Sequence, residues 1–239
     1  MQKKSHALTF VSVFCLFVIA PVLAFLSYKF LGSKYYYIAA LGMVFVSILP
    51  FFVMFEKRKI TTAEIVTVSV MISLCVSSRL LFAFVPQIKP LCAFVVMTAI
   101  AFGGNVGFVT GAISMFVSNF AFGQGMFTPF QMLGMGLVGF LCGEIFHGRK
   151  LSKNRVAVSI IGGVLTFFLY GFIVDTCSVL MMATDYSLKS ILSIYASGVV
   201  FNLVHGVTTG AVLFFLNKPM QDKLSRLNTK YGIFSYEVI

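Results

Sequence analysis

Residues 91–122 run through thirty-two consecutive positions without one charged side chain. A water-facing element of that length needs charge on its exposed side, so this run restricts the chain to an apolar surrounding. Drawn as one helix it would extend about 48 Å, at roughly 1.5 Å per residue. The hydrocarbon of a bilayer is only about 30 Å thick. The run is therefore too long for one crossing, and Gly103-Gly104-Asn105 near its middle is a turn signal. Two helices joined at that turn are expected.

The rest of the chain repeats the pattern. Apolar runs cover approximately 7–28, 35–55, 61–85, 90–102, 105–122, 129–146, 156–182 and 189–217. Only 10% of the residues are charged and the mean hydropathy is +0.99, against about 25% charged residues in globular domains. The expected fold class is an all-α integral membrane protein. The run at 7–28 follows Lys3 and Lys4 but is long for a signal peptide and lacks a convincing small-x-small site, so it reads as a retained span.

The net charge of +11 raises nucleic-acid binding as a possibility, but the basic residues stand in short clusters between apolar runs. Such clusters set orientation, and no nucleic-acid partner is expected. Eight spans with a cytoplasmic N-terminus put thirteen Lys and Arg on the inside and four (Lys29, Lys34, Lys89 and Lys189) outside, with Arg79 within a span. Merging the fourth and fifth runs worsens the split to eleven against six. Eight spans with both termini cytoplasmic are therefore expected. The division is 1–60, two N-terminal transmembrane helices; 61–217, a six-helix membrane core; and 218–239, a cytoplasmic C-terminal tail.

Polar groups inside hydrocarbon are costly and tend to be functional. In this topology they gather toward the outer ends of the last six spans. Arg79, Asn119, Gln131 and Asp175 lie there, while Asn202 and His205 lie near the middle of the eighth span with Tyr195 above them. The loops Pro86-Gln87-Ile88-Lys89-Pro90 and Phe122-Gly123-Gln124-Gly125-Met126-Phe127-Thr128-Pro129 add to that end. Glu64 and Glu144 stand near the inner boundary. A pocket open to one side needs this asymmetry, whereas a through-pore spreads polar groups along its depth. Arg79 reads either as a structural partner of Asp175 or as a ligand contact, and the two are compatible. Asn119 and Asn202 read as ligand contacts or interhelical hydrogen bonds. His205 reads mainly as a satisfied core histidine, and Lys89 as a ligand contact or an interface lysine. Phe82, Phe84, Phe122 and Phe127 stand at the depth of an aromatic wall.

Small residues recur every four positions at Ser69, Ser73 and Ser77, at Gly107 and Gly111, and at Gly139 and Gly143. Such faces permit close helix approach, within this chain or onto a partner. The cysteines (Cys15, Cys75, Cys92, Cys142 and Cys177) all lie in apolar runs without a C-x-x-C pair, so neither a disulfide framework nor a metal site is expected. The chain has no Walker A, H-E-x-x-H or G-x-S-x-G motif. It is not expected to be an enzyme or to carry a cofactor, and active transport would draw on another subunit or on an ion gradient.

The segment from Ser78-Arg79 to Ile88-Lys89-Pro90, a Gly-rich turn, Ser118-Asn119-Phe120-Ala121-Phe122-Gly123-Gln124-Gly125 and Thr128-Pro129-Phe130-Gln131 together resemble the substrate-binding S components of energy-coupling factor (ECF) transporters. The likeness covers about 61–217 and is greatest to the cobalamin-type S components. It implies a six-helix S-component-like bundle preceded by two extra N-terminal transmembrane helices, in a bacterial cell membrane. It also implies capture of a vitamin or related micronutrient, cobalamin-like in the first instance, at the extracellular face. Import would then be driven by ATP through a membrane coupling subunit and two cytoplasmic ATPase subunits. The substrate-binding residues expected on this basis are Arg79, Phe82, Phe84, Gln87, Lys89, Asn119, Gln124, Phe127, Gln131, Asp175, Tyr195 and Asn202. The family's A-x-x-x-A docking pattern has its nearest match at Ser69 and Ser73. The alternatives are an ion-coupled secondary transporter using Asp175 and Arg79, and an intramembrane enzyme with His205 as base.

Overall fold

The computed structural model describes residues 42, 45, 48, 61–85, 88–183 and 186–233. Apart from residues 42, 45 and 48, the two expected N-terminal spans lie outside the described residues, as does Gln87. Helix α1 (Thr62–Leu81) opens at Thr61, whose hydroxyl accepts from the Glu64 amide at 3.2 Å. Glu64 itself stands in the first turn, where a carboxylate complements the helix dipole.

Helix α2 (Leu91–Phe102) follows Pro90 and ends at Gly103, whose φ of 92° suits glycine. The expected division of the long uncharged run falls at that residue. All of α2 is buried except Phe94. At twelve residues it is about 18 Å long, a central pillar wrapped by longer helices. Helix α3 (Gly104–Phe122) ends at Gly123, with φ 99°. Helix α4 (Thr128–Phe146) starts with Pro129 in its first turn, where a missing N–H costs nothing.

The most extensive packing in the bundle joins α3 to α4. A Cβ on Gly107 would stand 2.7 Å from the Gly139 carbonyl oxygen, and one on Gly111 would stand 2.6 Å from that of Met135. These backbones touch directly, so the glycine pairs on these two helices serve packing inside this chain.

A short 3₁₀ turn (Lys150–Lys153) leads to α5 (Arg155–Leu165), capped by Asn154 Oδ1 accepting from the amides of Val156 at 3.0 Å and Ala157 at 3.1 Å. A π-helical turn (Thr166–Tyr170) joins α5 to α6 (Gly171–Met182) without interruption, making one span of 28 residues. Helix α7 (Leu188–Tyr231) then runs for 44 residues with Pro219 inside it, and closes at Gly232 in the left-handed region. The apolar run stops at 217, but the helix does not, so much of the polar tail is a continuation of α7.

Among the described residues the elements are helical, and five of the helices are long and apolar enough to cross a membrane. This is the all-α membrane architecture that the hydropathy implies. Buried residues of α2 lie at the centre of the main core, with Cys75, Met115, Met135, Val138, Phe146, Val158, Tyr170 and Leu213 around them. Residues 82–85, 88–90, 123–127, 183, 186 and 187 cap one end of the bundle. Gly103, residues 147–154 and the last turns of α7 form the other.

Candidate functional site

Arg79 stands in the last turn of α1, at the Lys89 end of the bundle, and reaches across to α3. Its Nη1 donates to Ser118 Oγ and to Asn119 Oδ1, the latter at 2.7 Å. Asn119 is fully buried. Its amide nitrogen donates to Thr128 Oγ1 at 3.1 Å and to Gln131 Oε1 at 2.8 Å, both on α4. Thr128 donates onward to Gln124 Oε1 at 3.0 Å and accepts from the Gly125 amide at 3.2 Å. Gln124 donates to the Phe116 carbonyl at 2.9 Å, which pins the α3–α4 loop. One hydrogen-bonded chain thus joins three helices and a loop. An arginine in a low-dielectric surrounding needs such partners, since an unpaired buried charge is costly.

Phe122 covers this chain. The Arg79 guanidinium lies 4.5 Å from its ring centroid and the Lys89 ammonium 5.4 Å, both within cation–π range. Lys89 holds the loop after α1 by donating to the carbonyls of Phe82 at 2.7 Å, Val85 at 3.4 Å and Ala83 at 3.5 Å. Partial burial, and then the nearby Arg79 charge, lower its pKa from the ordinary lysine value.

A second polar group lies between α6 and α7. Asn202 Nδ2 donates to Asp175 Oδ2 at 2.7 Å, and both residues are buried. Glycine makes room for this pair, because a Cβ on Gly171 would stand 2.6 Å from Asn202 Cγ. One turn further along α7, His205 Nε2 lies 3.4 Å from Cys92 Sγ, and Tyr170 and Phe201 pack edge-on to its ring. Two buried atoms here, Asn202 Oδ1 and His205 Nδ1, have no hydrogen-bond partner among the described residues. A buried unsatisfied polar atom calls for an explanation. Arg79 Nη1 lies 4.0 Å from Met115 Sδ, and Met115 shares a core cluster with Cys92 and Tyr170, two of the residues against His205, so both polar groups border that cluster.

The sequence-derived residues fall into three sets. Arg79, Asn119 and Gln131 bond to one another in series, and Lys89 shares the Phe122 ring with Arg79. Asp175 and Asn202 form the second group, while Tyr195 bonds Thr176 at 2.7 Å and stacks on Phe172 nearby. Gln124 joins the first set through Thr128, and Phe82, Phe84 and Phe127 stand apart from both groups. Phe84 is 97% exposed, Phe82 is exposed, Gln124 is turned to the α3 backbone, and Phe127 packs against the core cluster holding Phe108 and Phe130. The two readings of Arg79 also separate. Its partners are Ser118 and Asn119, while Asp175 takes Asn202. Ser69 and Ser73 are exposed on α1, with the Ser73 hydroxyl donating to the Ser69 carbonyl at 2.9 Å.

Sequence reasoning did not assign roles to Ser118 and Thr128, although Ser118 sits in the Ser-Asn pair that marks the end of α3. His205 is less settled than a satisfied core histidine, since one of its nitrogens is unpartnered. Among the described residues no cluster of three or more His, Cys, Asp or Glu forms a metal site.

No curated protein and no solved structure matches the chain. A family model described as "ECF-type riboflavin transporter, S component" matches residues 59–221, more than half of the chain and all of α1 to α6. With its membrane-spanning helical core, the chain belongs to the S-component family of ECF-type riboflavin transporters.

Proposed function

We propose that this chain captures riboflavin, or a closely related flavin, at the Lys89 end of the bundle for ATP-driven import. The observation carrying this reading is the Arg79–Asn119–Gln131 network under Phe122, beside the two unpaired buried atoms of Asn202 and His205. A flavin presents a flat aromatic face, a ring edge of alternating donors and acceptors, and a chain of hydroxyls. Aromatic side chains with a few fixed amides and cations match that chemistry. Arg79, Lys89, Asn119, Gln131, Asp175, Tyr195 and Asn202 would contact the ligand, with Phe82 and Phe84 from the loop closing over it. Phe127 and Gln124 would shape the floor and the loop, and Gln87 would join from the same loop as Lys89. The positive-inside count supports an extracellular position for this end and cytoplasmic termini in a cell membrane.

The described residues contain no nucleotide-binding motif, so the energy would come from partners: a membrane coupling subunit and two cytoplasmic ATPases. The exposed Ser69 and Ser73 on α1 would offer the coupling subunit a close-approach face. The cobalamin-like expectation gains no support from the matched family, whose description names a different vitamin.

The test is mass spectrometry of the small molecule that co-purifies with the detergent-solubilised protein, followed by titration with riboflavin and with cobalamin. A bound flavin and saturable riboflavin binding are expected. A bound corrinoid, or no flavin binding at all, would overturn the assignment. Uptake in vesicles that follows an ion gradient without the ATPase subunits would instead favour a secondary transporter built on Asp175.

A further inference from the structure

At the opposite end of the bundle, where the basic clusters stand, lies a cavity of about 550 Å³. Its size falls within the roughly 300–1,000 Å³ of small-molecule sites. The end of α2 contributes Ile100 and Ala101, and the segment after α4 contributes His147 and Gly148. Ser152, Lys153 and Arg155 enter from the 3₁₀ turn and the start of α5, and Lys218, Asp222 and Ser225 from α7. The α7 residues recur at spacings of three and four, so they share one face of the helix. Both flanking walls are fixed. His147 Nδ1 lies 3.0 Å from the Ile100 carbonyl oxygen, and Gln221 Nε2 donates to the Met97 carbonyl at 2.9 Å.

Among the described residues, three cations against one carboxylate give the lining an excess of two positive charges. The cations come from two separate segments and meet only in the fold. The N-terminus of α5 adds the positive end of its dipole, and Ser152 and Ser225 add hydroxyls. On the helices that supply the lining, α5 exposes the apolar Val156 and Ile160 and α7 exposes Phe214 and Phe215. An anionic centre with an apolar remainder is matched by that combination.

We infer that this cavity binds a phosphoryl anion, carried either by the headgroup of an anionic membrane lipid or by a soluble phosphate ester. Clustered basic residues at the membrane boundary recognise such headgroups. The site is separate from the proposed vitamin site and does not depend on its substrate.

The test places the full chain in nanodiscs of phosphatidylcholine with graded phosphatidylglycerol, and counts retained phosphatidylglycerol by native mass spectrometry. A parallel arm titrates glycerol 3-phosphate in phosphatidylcholine alone. Lys153→Gln and Lys218→Gln are each expected to weaken binding about fivefold, the factor one cation near such a surface contributes. Asp222→Asn is expected to strengthen it, a gain that misfolding cannot imitate. Lys223→Gln and Arg226→Gln are the controls, since neither residue lines the cavity. Cavity-dependent retention of phosphatidylglycerol identifies a lipid source. Cavity-dependent binding of glycerol 3-phosphate without lipid retention identifies a soluble one. If the cavity variants change binding no more than the two controls, or if Asp222→Asn leaves both ligands unaffected, the inference is wrong.

Discussion

Asn119→Ala removes the residue on which the Arg79 network turns. The wild-type side chain accepts one hydrogen bond from Arg79 and donates two, to Thr128 and Gln131. Interhelical hydrogen bonds in membrane proteins average about 0.6 kcal/mol each and reach about 1.7 kcal/mol. Three bonds therefore set a stability loss of about 2–5 kcal/mol, with the Arg79 bond near the upper value because it is charge-assisted. Ser118 still accepts from Arg79, so the guanidinium keeps a partner and the bundle should survive. It loses its fixed direction, however, and Gln131 loses its anchor. A ligand contacting both would lose about 1.4–2.8 kcal/mol, which is a ten- to hundredfold rise in Kd. The assay is riboflavin fluorescence quenching on purified protein, with thermal unfolding in the same detergent as the fold control. An unchanged Kd alongside a lowered unfolding temperature would show that Asn119 only ties α3 to α4, and the site assignment would fail.

Other perturbations separate packing from binding. Gly107→Leu forces a side chain against the Gly139 backbone and should destabilise by at least about 1–3 kcal/mol, the usual cost of overpacking; thermal unfolding measures it, and a neutral result would refute the direct α3–α4 backbone contact. Asp175→Asn keeps the shape of its pair while removing the charge, and should alter riboflavin Kd more than unfolding temperature. Lys89→Met removes the ammonium that gathers the Phe82, Ala83 and Val85 carbonyls; stopped-flow quenching should show faster ligand release with little change in stability. In vesicles, riboflavin uptake by the chain alone should be absent and should appear on adding an ATPase-bearing coupling module.

The fold was legible where backbone chemistry is local. Gly103 marks the division of the uncharged run because glycine tolerates the positive φ that the turn demands, and the Gly107 and Gly139 spacings foretold a close contact. What stayed hidden depends on helix phase and on partners far apart in sequence. The π-helical turn at Thr166–Tyr170 is composed of residues that read as ordinary apolar helix. The choice between Asp175 and Asn119 as neighbour of Arg79 turns on how α1 is rotated against α3, which hydropathy does not report. Ser118 and Thr128 are short polar residues common in membrane helices, so nothing in their type marks them as links in a network. The cavity at the basic end draws its walls from residues 100 to 225, and no window of sequence contains it.

The length of α7 ties the two ends of the molecule together mechanically. Asn202 and Asp222 ride on the same rod, twenty residues or about 30 Å apart at roughly 1.5 Å per residue. A tilt of about 5° pivoting near Asn202 would swing the distant face by roughly 2.6 Å over that span. Pro219 interrupts the ladder of backbone bonds shortly before Asp222, leaving a joint that can take up such a swing or pass it on. Stiffening that joint with Pro219→Ala would make the far end follow the near one more faithfully.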